Sequence, residues 1–154
     1  MNAHDVKPSF SLGYLTVVTG RLFINTFGRR LAEAGLGVTM EQWGILHLLL
    51  SQDARTQESL LPLTNYEKST LSRILEGIER KGLIERRRGS ADARRKEVYL
   101  TPEGRRIRSE GLEIVFAALT ELYEGIDQAE LDQCREMLAL MQTRLLTMRQ
   151  GETI

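Results

Sequence analysis

One stretch, residues 65–101, constrains the fold of this chain more than any other. Its first half predicts an amphipathic helix, because apolar residues recur there at spacings of three and four and so share one face. These apolar positions are Leu71, Ile74, Leu75 and Ile78. Lys81 and Gly82 end that helix, with a cation in the last turn and a glycine suited to a left-handed cap.

Two short runs of alternating polarity follow the helix, over residues 83–88 and 96–100. The polar residues between them predict a β-hairpin with a basic tip. A helix followed directly by such a hairpin forms the core of a winged helix.

Residues 81–104 resemble the wing and the following helix of MarR-type transcriptional regulators. That family typically carries KGLI-R, then D-x-R at the wing tip, then LT-x-x-G at the start of the next helix. The matching residues here are Lys81, Gly82, Leu83, Ile84, Arg86, Asp92, Arg94, Leu100, Thr101 and Gly104. Residues 67–73, EKSTLSR, resemble the start of the family's recognition helix, and the resemblance extends over nearly the whole chain.

The expected fold is therefore mainly α with a small β-hairpin wing: a winged helix-turn-helix with N- and C-terminal dimerisation helices. Residues 1–34 form the expected N-terminal dimerisation helix, residues 35–101 the DNA-binding domain and residues 102–154 the C-terminal dimerisation helices. Together they are expected to form one intertwined unit.

Local signals predict where the helices begin and end. A long helix is predicted over residues 8–34 and a largely buried one over residues 40–51, with threonine and aspartate caps opening helices along the chain. The predicted caps are Thr39, Thr56, Thr101 and Asp127. Residues 53–55 read as a turn, and Pro62 is expected to end the short helix before it near Leu61.

The charge distribution favours nucleic acid as a partner, although the net charge is zero. Residues 68–108 hold 13 Lys/Arg and 6 Asp/Glu, whereas the remainder holds 8 basic and 15 acidic residues. A basic segment on an acidic body is the electrostatic footprint of phosphate binding. The alternative is a solvated face with internal salt bridges.

The polar side of the recognition helix is expected to enter the major groove of double-stranded DNA. The predicted contact residues are Lys68, Ser69, Thr70, Ser72 and Arg73. Hydroxyl groups can bond base edges or phosphates, and Arg73 can pair with guanine through two hydrogen bonds. A second subunit would place its helix one turn of DNA away, about 34 Å, on a pseudo-palindromic operator.

The wing is expected to contact DNA differently, and its candidate DNA-binding residues are Arg86, Arg88, Asp92, Arg94, Arg95 and Lys96. By the resemblance, Arg94 enters the minor groove, and Asp92 holds Arg94 or Arg86 in place through a charge-assisted hydrogen bond. The further phosphate contacts are expected from the basic residues around them. They are Arg87, Arg88, Arg95 and Lys96.

The last helix carries an apolar heptad seam, which favours a helical partner and hence a homodimer. The dimerisation residues are Leu131, Leu138, Met141 and Leu145. Packing within one subunit is the alternative. Cys134 shares the seam and is read as a small core residue, with a redox switch as the second interpretation.

The resemblance also implies a small-molecule effector, since relatives bind phenolic or other small aromatic anions. The candidate ligand-binding residues are Tyr14, Arg21, Trp43 and His47. Tyr14 would supply an aromatic wall and Arg21 a counter-charge. His47 has a second interpretation, as a buried core histidine with its hydrogen bonds satisfied.

Enzymatic function is not expected, because none of the CxxC, HExxH, GxSxG or glycine-rich phosphate-loop patterns occurs. No cofactor or metal is expected for want of clustered ligands. With one cysteine and no long apolar run, the chain is expected in the cytoplasm and not in a membrane. The predicted function is a dimeric repressor released by a ligand; the alternative is a winged-helix dimer for protein–protein interaction.

Overall fold

The computed structural model describes residues 11–49, 55–88 and 96–149. The chain forms α1 (Leu12–Glu33), α2 (Met40–Leu49), β1 (Arg55–Thr56), α3 (Gln57–Thr64), α4 (Lys68–Arg80), β2 (Ile84–Arg88), β3 (Lys96–Leu100), α5 (Pro102–Leu122) and α6 (Gln128–Arg149). The mainly α fold with a small wing is confirmed. The predicted ends of the first two helices, at residues 8 and 50–51, lie outside the described residues.

The predicted helix caps are present. Thr39 and Gln42 cap α2 reciprocally, since each backbone N–H donates to the other's side-chain oxygen, at 3.3 and 3.2 Å. The hydroxyl oxygens of Thr56 and Thr101 accept bonds from the first turns of α3 and α5, at 3.2 and 3.0 Å. The Asp127 carboxylate accepts from the first turn of α6 at 2.8 Å.

The end of α4 is fixed by a Schellman motif around Gly82. Gly82 has φ +68°, and its N–H donates to the Glu79 carbonyl oxygen at 2.8 Å. The N–H of Leu83 donates to the Ile78 carbonyl oxygen at 3.2 Å. This reversal turns the chain directly from α4 into β2, as the sequence predicts.

The sheet has three antiparallel strands in the order β1–β3–β2. The hairpin register runs from Ile84 opposite Leu100 to Arg88 opposite Lys96. The prediction of a simple turn at residues 53–55 was wrong at its last residue, because Arg55 pairs with Val98 as part of β1. A strand of two residues has too little sequence for an alternating pattern to reveal it.

The prediction that Pro62 ends α3 near Leu61 was also wrong, because α3 continues to Thr64 with the proline inside it. Proline removes one intrahelical donor, and the last turn is stabilised by other bonds. The Thr64 hydroxyl donates to the Leu60 carbonyl oxygen at 3.1 Å, and Asn65 caps the helix in a left-handed conformation at φ +53°.

The chain divides into two compact units, residues 1–118 and 119–154. The first contains a core of buried aliphatic side chains drawn from α1, α2, α3, α4 and the sheet. Its fully buried members are Leu31, Ile45, Leu46, Leu60, Leu71, Leu75, Ile78, Ile84 and Val98. The second unit contains α6, of which no residue is buried within this chain.

Two glycines of α5 allow close packing in the first unit. A Cβ atom at Gly104 would lie 1.9 Å from the Leu83 carbonyl oxygen, and one at Gly111 would lie 2.2 Å from Trp43 Nε1. Both distances are far below van der Waals contact. Helix α5 therefore lies directly against the start of the wing and against the indole of α2.

Replacing Gly104 by alanine should destabilise the protein, because the obstructing atom belongs to the backbone and cannot swing away. We expect Gly104→Ala to lower the free energy of unfolding by about 3 kcal/mol, measured by urea denaturation. The control is Gly44→Ala in α2, whose new Cβ meets nothing within 4 Å. That control should be neutral or stabilise the helix by up to about 1 kcal/mol. Equal stability of the two variants would contradict the packing described.

Candidate nucleic-acid interface and ligand cavity

The rotation of α4 about its axis is set by its buried stripe. Leu71, Leu75 and Ile78 have no exposed surface, so the opposite side of the helix faces outward. Of the predicted major-groove residues, Lys68, Ser69 and Arg73 are exposed, while Thr70 and Ser72 are half-buried. The fold thus brings all five to the N-terminal two turns of one helix.

Three of these residues have defined surroundings. The Ser72 hydroxyl donates to Glu76 Oε1 at 3.1 Å, one turn along the helix. Thr70 and Arg73 line a surface groove of about 390 Å³, together with residues of α2 and of the α3–α4 turn. The remaining groove residues are Thr39, Glu41, Gln42, Tyr66 and Ile74.

Within the wing, Arg86 occupies a different position from its neighbours. Its side chain is 18% exposed, and its Nε lies 3.2 Å from Glu79 Oε2 on α4. This ion pair ties β2 to the recognition helix, a structural role beside the predicted DNA contact. Arg88 and Lys96 face each other across the hairpin and are exposed.

Arg87 is held along the strand surface. Its guanidinium lies 4.8 Å from the centre of the Tyr99 ring, and it also pairs with Glu85. The Tyr99 hydroxyl in turn donates to Glu97 Oε2 at 2.7 Å. The wing-tip residues Asp92, Arg94 and Arg95 lie outside the described residues, so their roles stay predictions.

A cavity of about 330 Å³ lies beside α2 in the first unit, and it includes two of the four predicted ligand residues. Trp43 and His47 lie in its wall, whereas Tyr14 and Arg21 do not. The other wall residues come from α1, from α2, from the end of α3 and from the segment between α3 and α4. They are Ile24, Met40, Glu41, Gly44, Ile45, Leu48, Thr64 and Tyr66.

Trp43 connects this cavity to α5. Its indole N–H donates to the Arg108 carbonyl oxygen at 3.2 Å, and its ring lies against Gly111. His47 stacks on the indole, with ring centres 5.1 Å apart and planes inclined by 30°. Trp43 is therefore anchored on one side and presents part of its ring to the cavity.

The titration of two wall residues is shifted. Burial, and then the positive charge of Arg108, lower the pKa of His47 below its ordinary value. Burial, and then the negative charge of Glu41, raise the pKa of Tyr66. Both side chains are consequently neutral near pH 7. Within the described part of the chain, His47 Nδ1 has no hydrogen-bond partner, which does not fit a core histidine with its bonds satisfied.

Sequence reasoning missed Glu41 and Tyr66 as wall residues of the cavity. Glu41 reads as an ordinary first-turn carboxylate of α2, and Tyr66 as a residue of the turn before α4. One available signal was the position of Tyr66, an aromatic residue two positions before the start of α4. Tyr14 and Arg21 lie on α1 and are exposed, so their predicted roles as aromatic wall and counter-charge stay predictions.

The predicted dimerisation residues lie on α6 in the second unit. Leu138 and Leu145 are 44% and 60% exposed within this chain, and Leu131 and Met141 are half-buried. Cys134 is exposed as well, so it is not a core residue of the single chain.

None of the helices in residues 11–49, 55–88 and 96–149 combines the length and hydropathy needed to cross a bilayer. In the same ranges, His, Cys, Asp and Glu side chains do not gather in a group of three that could hold a metal ion.

Comparison with known proteins agrees with this architecture. A sequence model described as the MarR family matches residues 36–95. The MarR family transcription regulator SP03579 is 29% identical, with a TM-score of 0.74 and 90% of each chain covered. MepR from S. aureus, in complex with DNA, is 25% identical, with a TM-score of 0.79, covering 90% of this chain and 99% of that one.

A third structure holds a small molecule. CouR from Rhodococcus jostii RHA1, bound to p-coumaroyl-CoA, is 25% identical, with a TM-score of 0.76, covering 86% of this chain and 92% of that one. The fold defines a winged-helix protein of the kind found in transcriptional regulators. Residues 36–95 of this chain, which include the helices α2, α3 and α4, match the MarR family.

The lowered pKa of His47 predicts a pH dependence of stability. The unfolded chain binds a proton at His47 near pH 6.5, whereas the folded chain resists it, so stability falls as pH drops below about 6.5. We expect His47→Gln to lose less free energy of unfolding than the parent protein between pH 7.5 and pH 5.5. Urea denaturation at the two pH values measures this difference. A variant as pH-sensitive as the parent would show that another group titrates in this window.

Proposed function

We propose that this chain is a homodimeric, sequence-specific DNA-binding regulator that represses transcription and is released from its operator by a small aromatic ligand. The activity is one of binding and not of catalysis. The observation that carries the proposal is the rotation of α4. Leu71, Leu75 and Ile78 of its apolar stripe are fully buried, and five polar residues from Lys68 to Arg73 are displayed at one end of the helix.

The chemistry of that helix end suits base reading. Arg73 is exposed and can donate two parallel hydrogen bonds to guanine, while Lys68 provides a point charge for a phosphate. Glu76 accepts from Ser72, which leaves the serine oxygen able to accept from a base amino group. Arg88 and Lys96, exposed at the far end of the hairpin, add phosphate contacts that do not depend on sequence.

Dimerisation is supported by apolar side chains that this chain leaves uncovered. Helix α6 exposes Met137, Leu138, Leu140, Leu145 and Met148, by 44–63%. In the N-terminal half of α1, Leu12, Tyr14, Leu15, Val17 and Leu22 are exposed by 45–59%. Rows of exposed large apolar side chains are typical of protein–protein contacts. A second copy would cover them and supply the second recognition helix of a two-fold site.

Ligand control is supported by the position of the cavity beside Trp43. The cavity reaches from α1 to Tyr66, two residues before the start of α4, so its contents border the recognition helix. In the MarR family, the CouR structure contains p-coumaroyl-CoA and the MepR structure contains DNA. Both kinds of partner are proposed here for this chain.

DNA binding is tested in two steps. The purified protein is first used to select genomic fragments, and the fragment that binds most tightly is then titrated with salt. With about eight phosphate contacts, a plot of log affinity against log salt concentration should have a slope of about −7. We expect an inverted repeat bound by two subunits. Weak binding without sequence preference and with a shallow slope would favour the alternative, a winged-helix dimer that contacts another protein.

On the selected fragment, Arg73→Ala should weaken binding by about tenfold to a hundredfold, because a two-bond contact to guanine is worth about 1–3 kcal/mol. The loss should be smaller on fragments in which that guanine is replaced. The control is Arg135→Ala on α6, which removes the same charge from the second unit. Gel-shift titration measures both variants. Equal losses in the two would indicate a general charge effect and would contradict base reading by Arg73.

The dimer is tested by placing a charge among the exposed apolar residues of α6. Leu138→Glu should shift the protein to monomers, because burial of an unpaired carboxylate costs several kcal/mol. Sedimentation velocity measures the shift, and operator affinity should fall with it. Gln142→Glu adds the same charge to an exposed residue of the same helix outside the predicted seam and is the control. A dimer that persists in Leu138→Glu would exclude this face as the interface.

A further inference from the structure

The wall of the cavity beside Trp43 has an unusual balance of charge for a site expected to take aromatic anions. Among its described residues, Glu41 is the one acidic side chain, and lysine and arginine are absent. Most of the remaining wall is apolar, supplied by α1 and α2. A ligand carboxylate placed there would meet a like charge, with no opposite charge in the wall.

The two other titratable wall residues do not change this balance. His47 is kept neutral by burial and by Arg108, since both lower its pKa. Tyr66 is kept neutral because burial and Glu41 raise the pKa of its phenol. The net charge of the wall near pH 7 is therefore that of the Glu41 carboxylate.

Glu41 and Tyr66 both lie in the cavity wall and are close to each other. The carboxylate is close enough to the phenol to shift its pKa, and both residues also border the groove beside the recognition helix. Trp43 is a second aromatic residue of the wall. A carboxylate with aromatic faces nearby is an arrangement that attracts a cation through charge and through the ring quadrupoles.

The positive charge of Arg108 could oppose the attraction of a cation by Glu41. It lies on α5, outside the cavity wall, at a point where the Trp43 indole packs against that helix. Its influence on the wall is to keep His47 neutral. Arg21, the counter-charge predicted from sequence, is exposed on α1 and is not in the wall either.

We propose that this cavity selects an apolar organic cation, with Glu41 as its counter-charge and Tyr66 and Trp43 as aromatic walls. The inference rests on the proposed ligand-binding role of the cavity and names the chemical class of the ligand. It departs from the aromatic anions that the family resemblance implies. The apolar surface of α1 and α2 takes the body of the ligand, and the end near the recognition helix takes its charge.

Three probes of nearly identical shape and different charge test this selection: benzoate, benzamide and benzamidinium. Trp43 is the single tryptophan, so its fluorescence reports on the cavity, and titration calorimetry provides the affinities. We expect benzamidinium to bind about tenfold more tightly than benzoate, with benzamide between them. Attraction of the cation and repulsion of the anion, each over about 6 Å at a dielectric near that of water, together give roughly this factor. Benzoate binding most tightly would overturn the inference while leaving the cavity as a ligand site.

Replacement of Glu41 provides a second test of the proposal. Glu41→Gln should reduce benzamidinium affinity to that of benzamide and leave benzamide binding unchanged. The control is Glu33→Gln on α1, which removes the same charge from an exposed residue outside the wall. A preference for benzamidinium that survives Glu41→Gln would assign the selection to another group and overturn the role of Glu41.

Two further outcomes are distinguishable. Glu41 lies in the first turn of α2, where a carboxylate also stabilises the helix dipole, so thermal unfolding of Glu41→Gln is measured alongside binding. If the variant is folded and binds benzamide with unchanged affinity, its loss of benzamidinium affinity is due to charge recognition alone. If all three probes fail to bind at millimolar concentration, the cavity is not a site for aromatic ligands and the inference fails. Operator selection would still test DNA binding separately.

Discussion

The burial of one apolar stripe on α4 is the constraint on which the rest of the first unit depends. Leu71, Leu75 and Ile78 are wholly buried, which fixes the rotation of the helix to within the width of that stripe. A modest rotation would expose leucine and bury Arg73. The direction in which the polar residues face is thus a consequence of hydrophobic packing on the opposite side.

The same helix also fixes the wing, through its C-terminal end. The Schellman motif at Gly82 reverses the chain, and the Gly82 carbonyl oxygen then accepts a bond from the Thr101 hydroxyl at 2.7 Å. Thr101 simultaneously caps α5, so one residue closes the hairpin and opens the next helix. Arg86 adds a side-chain link from β2 to Glu79 on α4. Helix and wing are consequently held as one surface.

Features set by short-range chemistry were predictable from the sequence, and those set by tertiary contact were not. Threonine caps and the left-handed glycine depend on a few adjacent residues, so their signals are local. The pairing of Arg55 with Val98 joins residues far apart in the chain, and no local pattern encodes it. The continuation of α3 through Pro62 depends on bonds made by Thr64 and by the Asn65 cap, which the proline signal alone does not contain.

The same contrast between local sequence signals and tertiary contacts applies to the candidate sites. The polar side of α4 follows from helical periodicity, so its five residues were found together. The cavity wall instead combines α1, α2 and the turn before α4, and its charge balance emerges only after folding. The sequence offered Arg21 on α1 as a counter-charge, whereas the described wall takes Ile24 from that helix. The counter-charge role of Arg21 therefore stays a prediction, and the charged side chain in the described wall is that of Glu41.

Under the proposed function, the shortest physical route between ligand and operator runs through two residues. Glu41 and Tyr66 border both the cavity beside Trp43 and the groove that contains Thr70 and Arg73. Tyr66 also lies two residues before α4, and its backbone N–H donates to the Thr64 hydroxyl at 3.3 Å in the last turn of α3. A ligand that moves Tyr66 must therefore alter the junction of the two helices or the groove itself. Because the buried stripe of α4 resists rotation, the lower-energy response is a shift of this junction, which changes where the recognition helix begins without unpacking its core.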